Sequence, residues 1–314
     1  MENLIFSLNA TVPIFLMMLL GLFFRKIGWL NVEFANQMNR FVFLVPLPLL
    51  VFKDLATVNF QDVFQLKFVA FCFFVTIASI TVVTLISFLW KDRSIQGEFI
   101  QASYRSSAAL LGLAFIQNIY GNAGMASMMI IGSVPLYNIM AVIVLSIFAP
   151  ERKKIDAALI RKTLKGIITN PIILGICAGI IWSLLRIPFT GIISKTVGNL
   201  ANVASPMGLM AMGATFDFEK AFHKIKPALT AAFIKLVGFA SIFLPLAIRM
   251  GFREKELVAI LVMLSSATTV SCFVMARNMG HEGTLTSSTV MLTTMLSAFT
   301  LTGWLFLLKY LQLV

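Results

Sequence analysis

Two parts of this chain repeat each other at a nearly constant offset of about 160 residues. Ser106-Ser107-Ala108, running on to Gly121 and Gly124, matches Ser265-Ser266-Ala267, running on to Gly280 and Gly283. Pro13-Ile14 with Leu16 and Gly21 matches Pro171-Ile172 with Leu174 and Gly179, and Pro46 matches Pro206. Three landmarks in one order and almost one register describe a duplicated unit, and both copies are apolar enough to lie in a bilayer. Duplicated membrane bundles are a common transporter build.

The chain is 59% hydrophobic and 12% charged, with 29 Phe and 17 Met. Ten apolar runs approach the roughly 20 residues that a membrane helix needs: 5–24, 32–52, 68–90, 99–120, 125–149, 168–185, 192–214, 227–248, 256–279 and 284–308. The expected fold is therefore an all-α integral membrane protein of ten transmembrane helices. An odd number of helices per copy returns the chain on the opposite face, so two inverted five-helix repeats are expected. Residues 1–149 form the first repeat, 150–167 a basic cytoplasmic linker and 168–314 the second, inverted repeat.

The net charge of +12 could suggest a nucleic-acid partner, but its placement follows the positive-inside rule. With the N-terminus outside, the inner loops and their edges collect Arg25, Lys26, Lys91, Arg93, the run from Arg152 to Lys165, Lys220, Lys224, Lys226 and Arg277. The outer side receives fewer. Arg25 and Lys26 follow the first apolar stretch rather than precede it, which argues for an anchored helix over a cleaved signal peptide. The sequence thus places a multi-pass protein in the cell membrane with both termini outside. Cys72, Cys177 and Cys272 lie singly in separate spans, and His223 and His281 in loops, with no metal-ligand or catalytic spacing. No cofactor, metal, catalytic residue or nucleic acid is expected.

The fourth and ninth spans carry polar, small-residue stretches deep inside them. The fourth holds Tyr104, Arg105, Ser106, Ser107 and Gly112; the ninth holds Ser265, Ser266, Thr268, Thr269 and Ser271. Small residues let backbones approach, and hydroxyls can satisfy backbone groups freed by local unwinding. Ordinary close helix packing is the alternative for either stretch alone; the symmetric pair favours a shared site. Snorkelling to the inner interface is the alternative for Arg105, and also for Lys235, which could instead pair with a loop acid. The acidic residues all fall in loops or at span ends, so no carboxylate is expected at mid-membrane.

Over essentially its whole length the chain resembles the auxin efflux carrier family, related in fold to bile-acid and sodium symporters. The resemblance rests on Pro13…Gly21 followed by Arg25-Lys26-Ile27-Gly28, on Phe43 through Phe52 around Pro46 and Pro48, and on Gly112-Leu113-Ala114 with Tyr120-Gly121. In the second half it rests on Thr268-Thr269-Val270-Ser271 with Met275 through Gly280. It implies that the fourth and ninth helices break and cross at the centre. The first, second, sixth and seventh helices would form a scaffold, the other six a mobile core. Family members carry proline at the crossing, where this chain has Ala114 and Ala267. The breaks must then rely on Gly112 and the Ser/Thr runs, or else be shallower, because alanine favours helix.

The function expected from these features is secondary transport of a small organic anion, a mono- or dicarboxylate, by alternating access. Its site would be Arg105, Ser106, Ser107, Gly112, Ser265, Ser266, Thr268, Thr269 and Ser271. The partners are that anion and the lipid bilayer, with a homodimer left open. A transport-inactive membrane sensor or interaction protein on the same fold is the other reading, and unbroken fourth and ninth helices would favour it.

Overall fold

The computed structural model describes residues 2–57, 65–108, 116, 119–120, 124–150 and 157–314, and among these there are helices and no strands. In chain order they are α1 (Glu2–Lys26), α2 (Val32–Leu44), α3 (Pro46–Ala56), α4 (Leu66–Ser87), α5 (Gln96–Tyr104), α6 (Gly124–Ile147) and α7 (Ala157–Ile168). There follow α8 (Pro171–Leu184), α9 (Gly191–Asn202), α10 (Ala204–Ala214), α11 (Phe218–His223), α12 (Ile225–Arg249), α13 (Glu254–Ser265), α14 (Ser271–Asn278) and α15 (Thr284–Tyr310). Among the described residues, four segments are long and apolar enough to cross a membrane unaided: α4, Met128–Ile147 of α6, α12 and α15. Several other apolar runs are delivered in pieces. Proline cannot continue a helix by donating to the preceding turn, so α2 stops at Val45 and α3 restarts with Pro46 at its first position. The helices α9 and α10 meet at Val203, with Pro206 in the first turn of α10.

The outer surface is apolar, unlike that of a water-soluble bundle, and some helices turn small or hydroxylated residues towards a core that is otherwise also apolar. On α1, Thr11, Met18 and Gly21 face inward at helical spacing, whereas Leu16, Leu19, Leu20 and Phe23 are exposed. On α15, Thr286, Thr289, Thr293 and Ser297 are buried while Met295, Phe299 and Phe306 face out. The hydroxyls return their bonds to the preceding turn, as Thr289 does to Leu285 O at 2.9 Å and Thr293 to Thr289 O at 2.7 Å. They therefore enter an apolar setting already satisfied.

Glycines bring the helices α1, α3, α8 and α10 into backbone contact. A Cβ at Gly213 of α10 would stand 2.0 Å from Met18 O of α1, and one at Gly21 of α1 would stand 2.2 Å from Met210 O of α10. A Cβ at Gly175 of α8 would stand 2.5 Å from Pro48 O of α3, and one at Gly179 2.8 Å from Phe52 O. The repeat landmarks Gly21 and Gly179 thus do the same work in two helix pairs.

The loops are tied in two groups. Glu282 ion-pairs with Lys220 at 2.8 Å and with Lys224. Nearby, Arg277 donates to Asn36 Oδ1 at 2.7 Å and Arg25 to Phe216 O at 3.2 Å. Glu98, read as a span-end acid, is buried and accepts from Gly283 N, Thr286 N and the Thr286 hydroxyl, capping α15. At the other end Lys67 donates to Met250 O at 2.5 Å, and Glu254 N to Leu313 O at 3.0 Å.

Burial opposes the charge of Glu282, but the bonds and charges of Lys220 and Lys224 outweigh it and hold its carboxyl below its ordinary value of 4.5. A depressed acid stabilises the fold fully above its unfolded value and loses that contribution as pH falls through the folded one. Thermal melts of detergent-solubilised protein should therefore drop below pH 4.5 more steeply for the wild type than for Glu282→Gln. The difference is small because the cluster is half-exposed. Parallel pH profiles would remove the cluster from the account.

Candidate functional site

Both polar stretches interrupt their helices. The chain leaves α5 at Arg105 (φ −71°, ψ 135°) and leaves α13 at Ser266 (φ −76°, ψ 161°), so each break opens with extended backbone. Residues 105–107 and 266–269 are non-helical, and α14 begins at Ser271. The two breaks lie against each other. Ser107 N donates to Ala267 O at 2.9 Å, and the Ser106 and Ser266 hydroxyls are hydrogen-bonded. Across the same junction Thr268 Oγ1 donates to Ala102 O at 2.8 Å and Gln101 Nε2 to Cys272 O at 2.9 Å. Thr268 N is received by Thr293 Oγ1 of α15 at 3.0 Å. Backbone groups that a continuous helix would have paired are thus satisfied by side chains and by the opposing backbone, as an apolar surrounding demands. Gly112 and Ala114 lie outside the described residues.

The Lys235 side chain is fully buried, so it neither snorkels nor meets a loop acid. It stands in a π turn of α12, Ile234–Gly238, and donates to Met263 O at 3.1 Å and Leu264 O at 3.0 Å. An ammonium at the last carbonyls of α13 offsets both their lost bonds and the negative end of the helix dipole. The π turn frees the Leu236 carbonyl, which accepts from the Ser265 hydroxyl and from Trp304 Nε1 at 3.1 Å.

A cavity with about 60 Å³ of free space, room for a few waters, opens beside the breaks. One wall is α3, α8 and α10, through Leu47, Leu50, Val51, Asp54, Ile172, Ala204 and Ser205. The facing wall is the α5 break, α6 and the start of α14, through Arg105, Ser106, Ser107, Val134, Tyr137, Asn138, Thr269, Val270, Ser271 and Val274. Of the residues singled out in sequence, Arg105, Ser106, Ser107, Thr269 and Ser271 meet here. Ser265, Ser266 and Thr268 do not line it, because their hydroxyls are engaged as ties.

Arg105 is 2% exposed and does not reach an interface. Its Nη1 donates to Met275 Sδ at 2.8 Å, and its Nη2 to Asn138 Oδ1 at 2.8 Å and Ser271 Oγ at 2.9 Å; its Nε has no partner. All three acceptors are neutral, and the salt bridges among the described residues involve Glu282 alone. An unneutralised guanidinium held inside a protein costs several kcal/mol, and at a cavity wall it attracts an anion. Asn138 and Asp54 were not recognisable as site residues from sequence. Asn138 is a single amide in an apolar run, and Asp54 lies in the last turn of α3.

An interrupted backbone lining a charged cavity between two groups of helices is an arrangement that membrane transporters use. The chain belongs to the membrane transport protein family, that of the auxin efflux carriers, whose model matches residues 6–305. It is also similar to an uncharacterized transporter of Methanothermobacter thermautotrophicus, 22% identical over 306 residues that span 95% of this chain and 97% of that protein.

Proposed function

We propose that the protein is a secondary carrier of small organic anions, mono- or dicarboxylates, working by alternating access in the cell membrane. Arg105 carries the reading: a buried cation with neutral partners only, on the wall of a cavity. Thr269, Val270 and Ser271 bring the N-terminal end of α14, which has no side-chain cap, to the same space, where the positive helix end favours a carboxylate. Ser107 adds a hydroxyl that is unbonded among the described residues.

In this reading ten spans form two inverted repeats, with α1, α2–α3, α8 and α9–α10 as the scaffold and the remainder as a core that rocks against it. The backbone contacts at Gly21, Gly175, Gly179 and Gly213 suit a rigid scaffold. The loop ties fit the sorting of the loops into two faces, because Glu282–Lys220 and Arg25–Phe216 join segments assigned to one face and Lys67–Met250 segments assigned to the other; the basic loops then put both termini outside. The transport-inactive reading loses its support, since both helices are interrupted.

Proteoliposomes test it directly. Uptake of radiolabelled mono- and dicarboxylates, with counterflow, should be saturable and absent from empty vesicles. In oriented cells a single cysteine at Ala157 should resist an impermeant reagent while one at Arg186 reacts. Failure of every carboxylate to move would end the carrier reading, and outside labelling of Ala157 would reverse the topology.

A further inference from the structure

The two walls of the cavity differ in charge. Arg105, Ser107 and Ser271 offer donors on one side, and Asp54 offers an acceptor on the other, with the apolar side chains of Val51 and Ile172 on the Asp54 wall. Arg105 and Asp54 are not paired; no salt bridge within 4.0 Å joins them. The Asp54 carboxylate makes no hydrogen bond with any described residue, and the neighbouring Lys53 is turned to Asn202 Oδ1 at 3.4 Å. A carboxylate left unpaired on a cavity wall does two things. It accepts from any O–H or N–H brought to it, a bond stronger than one between neutral groups. It also repels a second carboxylate, more strongly in these surroundings than in water.

We infer that Asp54 sets the substrate class: a monocarboxylate with a hydroxyl or amino donor at its far end, its own carboxylate docked at Arg105 and its donor at Asp54, with dicarboxylates excluded. The inference rests on the anion-carrier reading above and narrows it. Val51 and Ile172, beside Asp54 on that wall, take the carbon skeleton, so the two ends of the substrate meet opposite walls.

Four three-carbon acids that differ only at the far end separate the possibilities: 3-hydroxypropionate, β-alanine, propionate and malonate. Calorimetry and thermal shift on the full-length protein in detergent would measure each against wild type and Asp54→Asn. In the wild type the two donor-bearing acids should bind about tenfold or more tighter than propionate, with malonate weakest. The tighter of the pair identifies an amino or a hydroxy acid. In Asp54→Asn the advantage of β-alanine should disappear and malonate should rise to the level of propionate. Malonate binding as well as 3-hydroxypropionate to the wild type, or one ranking shared by both proteins, overturns the inference while leaving an anion site in place. No binding by any of the four overturns the inference and the anion reading together. The wild-type ranking decides the matter even if Asp54→Asn does not fold.

Discussion

Gly213→Ala should lower the melting temperature of the detergent-solubilised protein sharply, whereas Gly198→Ala should raise it slightly. The added methyl is the same; its surroundings decide the sign. At Gly213 the new Cβ would stand 2.0 Å from a backbone carbonyl, Met18 O, which no rotamer change can move away. The helices α1 and α10 must separate, and overpacking of this kind costs about 1–3 kcal/mol or more. The loss weighs heavily in a membrane, where close van der Waals contact drives helix association. Gly198 lies within α9 with nothing inside 4 Å of the added carbon. There alanine contributes only its better helix propensity, about 1 kcal/mol. Gly21→Ala meets Met210 O on the same helix pair, so the double variant Gly21→Ala/Gly213→Ala should cost less than the two separate losses. Equal shifts for Gly213→Ala and Gly198→Ala would show that the backbone contact is not what holds the pair.

The helix break at Pro46 and the close helix contacts were legible in sequence because their markers are residues with backbone consequences. Pro46 stops a helix and Gly21 and Gly179 admit a neighbouring carbonyl, so their spacing carries geometry. The breaks were legible for a related reason, since runs of Ser and Thr are what an interrupted helix needs when its prolines are replaced. Which hydroxyls face the cavity was not legible. Helical periodicity resets at a break, and Ser265, Ser266 and Thr268 turn to Leu236, Ser106 and Ala102 instead. Lys235 escaped for a different reason, because a π turn leaves no signature in the spacing of apolar residues and its acceptors lie on another helix. Asp54 was visible as a residue but not as a wall, because an acid near a helix end looks solvated until α8 and α10 are placed beside it. Snorkelling was a fair alternative for Arg105 from its depth alone; its acceptors Asn138, Ser271 and Met275 come from distant parts of the chain.

Arg105→Gln should move stability and binding in opposite directions. The buried guanidinium has no carboxylate to offset its desolvation, so its removal should leave the ligand-free protein as stable or more stable, by up to about 4 kcal/mol if the behaviour of buried charges in other proteins holds. Glutamine can keep a bond to Asn138 and stays polar at the break. An anion, by contrast, loses its one fixed counter-charge. A lost bond between charged groups is worth about 1.5–3 kcal/mol, or roughly 10- to 150-fold in affinity. Stabilisation by added carboxylate, which scales with the logarithm of ligand over Kd, should fall away accordingly. Arg105→Lys should be intermediate: it keeps the charge, but a compact ammonium cannot reach Met275, Asn138 and Ser271 together as the planar fork does. Melting curves with and without carboxylate, alongside proteoliposome uptake, give both quantities on the same preparations. A variant that melts earlier yet transports normally would make Arg105 a structural residue and move the anion site elsewhere.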